Sequence, residues 1–158
     1  MCCFPLSVLA GQIMHRLKLT WLGNEGSIAE TASTFRILLS ITAVYFLLGQ
    51  FLKYSPLAFI DEDGNMSPTA MIFIEWRYFL SIIFAIFTII IATRTRRRIR
   101  AKYGIPAKNC GECEDFCCSL WCTCCTLSQM ARHTADYETY AARCCSETGL
   151  SPNAPSIV

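Results

Sequence analysis

The chain has 158 residues, of which 53% are hydrophobic and only 16% are charged, and its mean hydropathy is +0.37. An ordinary soluble domain carries about 25% charged residues. The composition argues against a disordered chain and against an ordinary soluble enzyme, and it predicts a single domain with membrane spans. The net charge of +2 excludes no class of protein by itself.

The N-terminal stretch repeats apolar residues at helical spacing and ends in basic residues, Arg16 and Lys18. A signal peptide carries its positive charge in front of the apolar residues, not after them. The apolar part is about 13 residues long, which is too short to cross a bilayer. The pattern predicts an interfacial helix on the inner leaflet. Cys2 and Cys3 lie beside this helix, either as acylation sites or as small apolar residues.

Two long apolar runs follow, at residues 35–52 and 70–93. Eighteen helical residues rise about 27 Å, close to the hydrocarbon core of roughly 30 Å, so both runs are predicted to span a membrane. The alternative for each run is a buried helix of a soluble protein. Glu75 and Arg77 lie near one end of the second run, beside Trp76 and Tyr78, which is typical of the headgroup level. The alternative for Glu75 is an ion ligand within the membrane.

Charge is distributed unevenly around the two spans. The connection between them holds the consecutive acids Asp61, Glu62 and Asp63, whereas six basic residues lie between Arg94 and Lys102. Because cytosolic flanks carry more Lys and Arg, we predict a hairpin with both termini in the cytosol. The basic run anchors the span and attracts anionic lipid. It abuts a span and lacks interleaved aromatic residues, so no nucleic-acid partner is expected.

Nine of the 11 cysteines lie after residue 109. The dense part of the block consists of Cys110, Cys113, Cys117, Cys118, Cys122, Cys124 and Cys125. In a reducing compartment such thiols stay free, bind metal or become acylated. The pairs Cys110–Cys113 and Cys122–Cys125 are two CxxC motifs that can give four sulfurs to zinc or a softer divalent cation. Acylated cysteines without an ion, and disulfides, are the alternatives.

Residues 126–145 have apolar positions at helical spacing and predict a helix that can bind a protein partner. Disorder is predicted from Ser146 onward, with residues 151–158 as a tail outside a domain of residues 1–150 and a cysteine-rich block at 110–145. The sequence has no phosphate-binding loop and no base placed beside a nucleophile. It is therefore not expected to be an enzyme.

The run from Arg94 to His133 resembles the placenta-specific 8 family of cysteine-rich membrane proteins, which includes plant cadmium-resistance proteins and cell number regulators. The shared features are the basic run, Tyr103-Gly104-Ile105-Pro106, the cysteine pattern from Cys110 to Cys125, Leu127, Gln129 and the N-terminal stretch Val8-Leu9-Ala10-Gly11-Gln12-Ile13. Pro5-Leu6-Ser7 stands where family members have Cys-Pro-Cys, and Ser128 stands where many have a further cysteine.

The resemblance implies a small, all-α, homo-oligomeric membrane protein linked to divalent cations (cadmium, zinc or calcium) or to growth control. We therefore expect a two-helix transmembrane hairpin in the plasma membrane, with an N-terminal interfacial helix and a cysteine-rich cytosolic C-terminal segment. The expected function is transport or homeostasis of divalent heavy metals by an oligomer. The alternative is a membrane-anchored regulator or scaffold of cell growth without transport.

Overall fold

The computed structural model describes residues 6–59, 67–106, 113–143 and 146–155. Their regular structure is helical: α1 (Leu6–Arg16), α2 (Ile28–Ala32), α3 (Thr34–Tyr54), a 3-10 helix (Ser55–Phe59), α4 (Pro68–Tyr103), α5 (Cys113–Trp121) and α6 (Thr123–His133). Extended pairing in these ranges is limited to two isolated bridges, Leu19 with Glu25 and Ala142 with Leu150. The predicted all-α class is therefore confirmed. The predictions made for Cys2, Cys3, Cys110 and the acids at 61–63 fall outside the described residues.

Helices α3 and α4 contain the two predicted spans and are long and apolar enough to cross a membrane. Only 17% and 22% of their most apolar windows are buried inside the protein, whereas a core helix of a soluble protein is mostly buried. Each helix holds a charge-free run of 16 residues, 37–52 and 78–93, with a basic residue at both ends. Such a run rises about 24 Å. Length, composition and exposure together favour a lipid bilayer environment.

Helix α4 continues well past its apolar run, so the basic residues from Arg94 to Lys102 lie on regular helix. It ends at Tyr103, where Gly104 adopts a left-handed conformation with φ of 62°. The Ile105 N–H then donates to the Arg100 carbonyl at 3.0 Å, which closes the last turn. Glycine is the residue that ends a helix in this way at least cost.

Residues Ser40–Phe87 form one compact unit, which contains the greater part of both apolar runs. Aromatic side chains make its internal contacts. The rings of Tyr45 and Phe84 stack with centroids 3.9 Å apart, and Phe73 contacts both Phe51 and Phe59. Many of the remaining apolar side chains are exposed, as expected for a surface that meets lipid.

The second unit comprises Met1–Leu39 and Thr88–Val158, and its core is built on α1. Helix α1 packs against α6, and α5 also packs against α6. Ile13 and Met14 of α1 are fully buried, together with Leu127 of α6. A Cβ at Gly11 would lie 3.4 Å from Leu38, so the small residue permits close packing. The predicted helix is present, but its apolar residues face the protein core and not a membrane surface.

Helix α6 ends at His133, twelve residues before the end predicted from the sequence. The Thr134 hydroxyl donates to the carbonyls of Met130 and Ala131, which satisfies the last turn. Asp136 then accepts hydrogen bonds from the N–H groups of Glu138 and Thr139. The hydrogen bond from the Thr139 side chain, together with these backbone bonds, lowers the pKa of the Asp136 carboxyl. The predicted helix beyond residue 133 is wrong because local side-chain hydrogen bonds favour a turn there.

Residues 146–150 pack against α1, although the sequence predicts disorder from Ser146 onward. Gln12 donates to the carbonyls of Arg143 and Ser146 at 3.3 and 3.0 Å, and Arg16 donates to the carbonyl of Thr148. Leu150 is buried. Two polar side chains one helical turn apart thus hold the C-terminal segment in place. Disorder of residues 151–158 stays a prediction.

Candidate metal-binding thiol cluster

The cysteine block folds into a corner made by α5 and α6. Cys122 lies between the two helices and is the N-cap of α6. The Thr126 hydroxyl donates to the Cys118 carbonyl at 3.0 Å, and the Thr123 hydroxyl donates to the Ser119 carbonyl. These bonds add side-chain donors to carbonyls at the end of α5, and the Cys118 carbonyl also accepts from the Cys122 N–H at 3.1 Å. The corner is therefore fixed by its own threonines.

A buried carboxylate attaches this corner to the end of α4. Asp115 is only 4% exposed, and one of its oxygens accepts from Arg96 at 3.0 Å and from Arg100 at 2.8 Å. Arg96 also donates to Gln129 of α6 at 3.2 Å and lies 3.9 Å from Glu114. Because Arg96 and Arg100 are four residues apart, one face of α4 presents both guanidinium groups. We call Asp115, Arg96 and Arg100 the arginine clamp.

Three sulfur atoms converge at the start of α6. The Sγ atoms of Cys122, Cys124 and Cys125 all lie within 4.8 Å of one another. Cys124 Sγ is 3.6 Å from that of Cys122 and 4.0 Å from that of Cys125. A disulfide joins Cys122 to Cys125, whose Cα atoms are 5.3 Å apart. A spacing of three residues at a helix start brings two sulfurs within bonding range.

The position of this cluster favours negative charge. Cys122 makes no side-chain capping bond, so it satisfies none of the free N–H groups in the first turn of α6. The positive end of a helix dipole stabilises anions at this position. Thiolates are the form of cysteine that binds metals and attacks disulfides. The cluster therefore has three sulfur donor atoms at a position that favours the anionic thiolate, the form of cysteine that binds soft cations.

The other predicted site cysteines do not join this cluster in the described part of the chain. Cys113 and Cys117 are exposed on α5, and Cys118 is half-buried. Cys110 lies outside the described residues, as do Cys144 and Cys145. The predicted four-sulfur set that includes Cys110 and Cys113 stays a prediction.

The donor geometry fits a soft divalent cation once the disulfide is reduced. Zinc–sulfur bonds of 2.3 Å at tetrahedral angles place neighbouring sulfurs about 3.8 Å apart. The 3.6 and 4.0 Å separations made by Cys124 bracket this value. The bonded pair, Cys122 and Cys125, must separate before both can bind the same ion. The three residues would then supply thiolates to zinc or a softer metal.

The sequence reasoning missed the arginine clamp. The basic run was predicted only to anchor the span and attract anionic lipid, with no ion pair to an acid of the cysteine-rich block. Instead the Asp115 carboxylate is neutralised by two arginines, and a third, Arg98, pairs with Glu25 at 2.8 Å. The available signal was the four-residue spacing of basic residues beyond the apolar run, which repeats for Arg94 with Arg98 and for Arg96 with Arg100.

The model of the PLAC8 family matches residues 1–133 of the chain. Neither the curated proteins nor the solved structures contain a significant match. The matched range includes α1, both apolar helices and the thiol cluster, which lies at the start of α6. The cysteine-rich block and the two apolar helices fit a family of cysteine-rich membrane proteins. The chain belongs to the PLAC8 family.

Proposed function

We propose that this protein handles divalent heavy metals at a membrane, with Cys122, Cys124 and Cys125 as the metal-binding thiols. The observation that carries the proposal is the convergence of their three sulfurs within 4.8 Å at a helix N-terminus. Cadmium and zinc are the expected ions, because thiolates select soft and borderline cations. The binding form is the reduced one, in which the thiols of Cys122 and Cys125 are free to ionise.

The proposed topology is a hairpin in the plasma membrane with both termini in the cytosol. The six basic residues between Arg94 and Lys102 support this orientation, since cytosolic flanks are enriched in Lys and Arg. It places the thiol cluster in a reducing compartment, where free thiols persist. Calcium is a weaker candidate as cargo because it prefers oxygen ligands.

Transport requires more than one copy of the chain. Two helices cannot enclose a polar path, because ions and backbone groups must be shielded from lipid. The proposed active form is therefore a homo-oligomer, with exposed apolar side chains of α3 and α4 available for packing between copies. We propose a binding and transport role without enzymatic activity.

The test is metal binding by the full-length protein purified in detergent under reducing conditions without added metal. Elemental analysis and cadmium titration, followed by thiolate-to-cadmium charge-transfer absorption, are expected to show bound metal. Replacing Cys122, Cys124 and Cys125 with serine should remove it. The matched control is Cys113→Ser, which removes one exposed thiol outside the cluster.

Equal metal binding by the triple variant and the control would contradict the proposed site. Oxidation of the wild-type protein should also release the metal, because the disulfide uses two of the three sulfurs. In cells, the triple variant is expected to lower cadmium tolerance at equal expression. Tolerance that stays unchanged while purified protein loses its metal would separate binding from transport.

A membrane-anchored regulator or scaffold of cell growth is the second proposed function. Phe116, Leu120 and Trp121 on α5 are 45%, 50% and 86% exposed, which favours a partner on this face. This face lies outside the partner-binding helix that was predicted at residues 126–145. In that helix, Leu127 and Met130 are buried and cannot contact a partner. Replacing the three exposed residues with serine should then remove a growth phenotype and leave metal binding intact.

A further inference from the structure

A partly open cavity with a mixed polar and apolar lining lies among the apolar helices of the unit Ser40–Phe87. Its volume is about 210 Å³, several times the roughly 30 Å³ share of a water molecule. The lining comes from one face of α3 and one face of α4: Tyr45, Phe46, Gly49, Gln50, Lys53, Arg77, Leu80 and Ser81. An open space of this size can hold a phosphate group.

Two cations line this cavity and no described carboxylate pairs with either. Lys53 contacts the ring of Tyr54 at 5.4 Å, and among the described residues neither Lys53 nor Arg77 has an ion pair. The nearby acid on α4, Glu75, is two residues from Arg77, and residues at that spacing do not face each other on a helix. Among the described residues, the positive charge of Lys53 and Arg77 is therefore not paired with an acid.

The position of both cations matches the level of lipid headgroups. Lys53 ends the charge-free run of α3, and Arg77 begins that of α4. Long basic side chains at span ends reach toward headgroups. Trp76, Tyr78 and Tyr54 are exposed at the same ends of the helices, which is typical of the interface. Gln50 and Ser81 add an amide and a hydroxyl to the lining.

We propose that this cavity is a binding site for a phosphate-bearing anion, with Lys53 and Arg77 as the charged ligands. Arg77 supplies a planar pair of donors that matches a phosphate, and Lys53 supplies a compact charge. The site is separate from the thiol cluster and does not depend on the proposed metal function. The positive charge of the cavity attracts anions and repels cations.

The test uses full-length protein in nanodiscs that contain phosphatidylglycerol and phosphatidylcholine in equal amounts. Native mass spectrometry should detect phosphatidylglycerol bound to the wild-type chain. The Lys53→Gln, Arg77→Gln double variant should retain on the order of tenfold less, as expected if about 1.4 kcal/mol of binding free energy is lost. The matched control is Lys102→Gln with Arg132→Gln, which removes the same charge from exposed positions outside the cavity.

A second arm identifies the source of the phosphate. Inorganic phosphate is titrated into protein in phospholipid-free detergent, with tryptophan fluorescence as the readout because Trp76 neighbours Arg77. A saturable change that disappears in the double variant assigns the site to free phosphate. Lipid retention without that change assigns it to the headgroup.

Equal loss of bound lipid in the test and control variants would overturn the proposal. Full retention of lipid by both variants, with no change of tryptophan fluorescence on addition of phosphate to the wild-type protein, would also overturn it. Folding of each variant is checked by circular dichroism. A Lys53→Arg, Arg77→Lys variant, which keeps both charges, should retain the anion. Loss in that variant equal to the loss in the double glutamine variant would show that charge is not the determinant.

Discussion

The position of α5 against α4 depends on the side chain of Asp115. Its carboxylate accepts hydrogen bonds from two arginines and is almost fully buried. A buried charge that keeps its partners is tolerated, whereas one left without a partner is costly. Removing the charge of Asp115 therefore leaves Arg100 without its carboxylate partner and Arg96 with only the longer contact to Glu114.

We predict that Asp115→Asn detaches α5 from α4. The loss should be about 3–5 kcal/mol, the usual cost of breaking a buried ion pair from one side. Native-state hydrogen exchange of the α5 amides in detergent measures the free energy of this opening.

The control is Glu25→Gln, which breaks the exposed pair with Arg98 on the same basic run. Glu25 is 79% exposed, so solvent screening limits the expected effect to at most about 1 kcal/mol. Similar protection of α5 in both variants would show that the arginine clamp does not hold the helix.

Gly149 is required both for its backbone conformation and for its lack of a side chain. Its φ is 70°, and a Cβ would lie 2.7 Å from Gln12 Oε1 and 2.8 Å from an Arg16 guanidinium nitrogen. A left-handed conformation alone costs roughly 1–2 kcal/mol in a residue with a Cβ. We predict that Gly149→Ala lowers the free energy of unfolding by more than this amount. Residues 143–150 should also become sensitive to proteases.

Gly104→Ala separates the two contributions. Gly104 has a similar φ of 62°, but no other side chain or distant backbone atom of the described residues lies within 4 Å of its Cβ position. This variant should show only the backbone cost in thermal unfolding. If the two variants lose equal stability, the contacts with Gln12 and Arg16 contribute nothing to the effect.

Helix α1 shows how far a periodic pattern predicts an element. Spacing of apolar residues predicted the helix correctly, but it could not tell a membrane surface from a protein core, because both accept the same apolar face. The polar residues Gln12 and Arg16 distinguish them. On a membrane they would face water, whereas here they hydrogen-bond backbone carbonyls more than 130 positions away in the chain. Contacts over such distances are not visible in a local pattern.

We predict that Ile13→Ala destabilises the fold by about 2–5 kcal/mol, because it leaves a cavity at a fully buried position. Unfolding of the detergent-solubilised protein, followed by circular dichroism, measures the change. Ile28→Ala on α2 is the control, because Ile28 is 83% exposed. This substitution should change the free energy of unfolding by no more than about 0.5 kcal/mol. If both variants are equally stable, α1 does not form part of the core.

The end of α6 marks a second limit of sequence reasoning. Residues after His133 include good helix formers, and no glycine or proline stops the helix before Gly149. Thr134 and Asp136 end it through hydrogen bonds to neighbouring backbone groups. Both apolar helices and the presence of a cysteine-rich block were predictable from composition and spacing. The arginine clamp was not, because it depends on how α5 lies against the end of α4.

At the level of the whole molecule, the two proposed sites have opposite requirements. The thiol cluster offers negative charge to soft cations, whereas the cavity of Lys53 and Arg77 repels them. A cation path alongside that cavity would cross a region of positive charge, which raises its electrostatic barrier. A transport path, if formed by an oligomer, must therefore use other faces of α3 and α4.

The orientation of the chain can be measured through its glycosylation. Asn65-Met66-Ser67, in the connection between the spans, is an acceptor sequence, and Pro155→Ser would create a second one at Asn153. With both termini in the cytosol, we predict a glycan on Asn65 and none on Asn153. The measurement is the mass shift removed by an endoglycosidase, with Asn65→Gln as the control. A glycan on Asn153 would place the C-terminal segment outside the cytosol and contradict the proposed metal site.

The attachment of residues 146–150 to α1 determines how far the chain can be shortened without losing contacts of that helix. The family match ends at residue 133, yet Gln12 and Arg16 find their carbonyl partners only beyond it. A chain that ends at residue 133 would keep every residue matched by the family model. Gln12 and Arg16 of α1 would nevertheless lose their carbonyl acceptors. The contacts that hold the C-terminal segment therefore extend to Leu150, seventeen positions past the end of the family match.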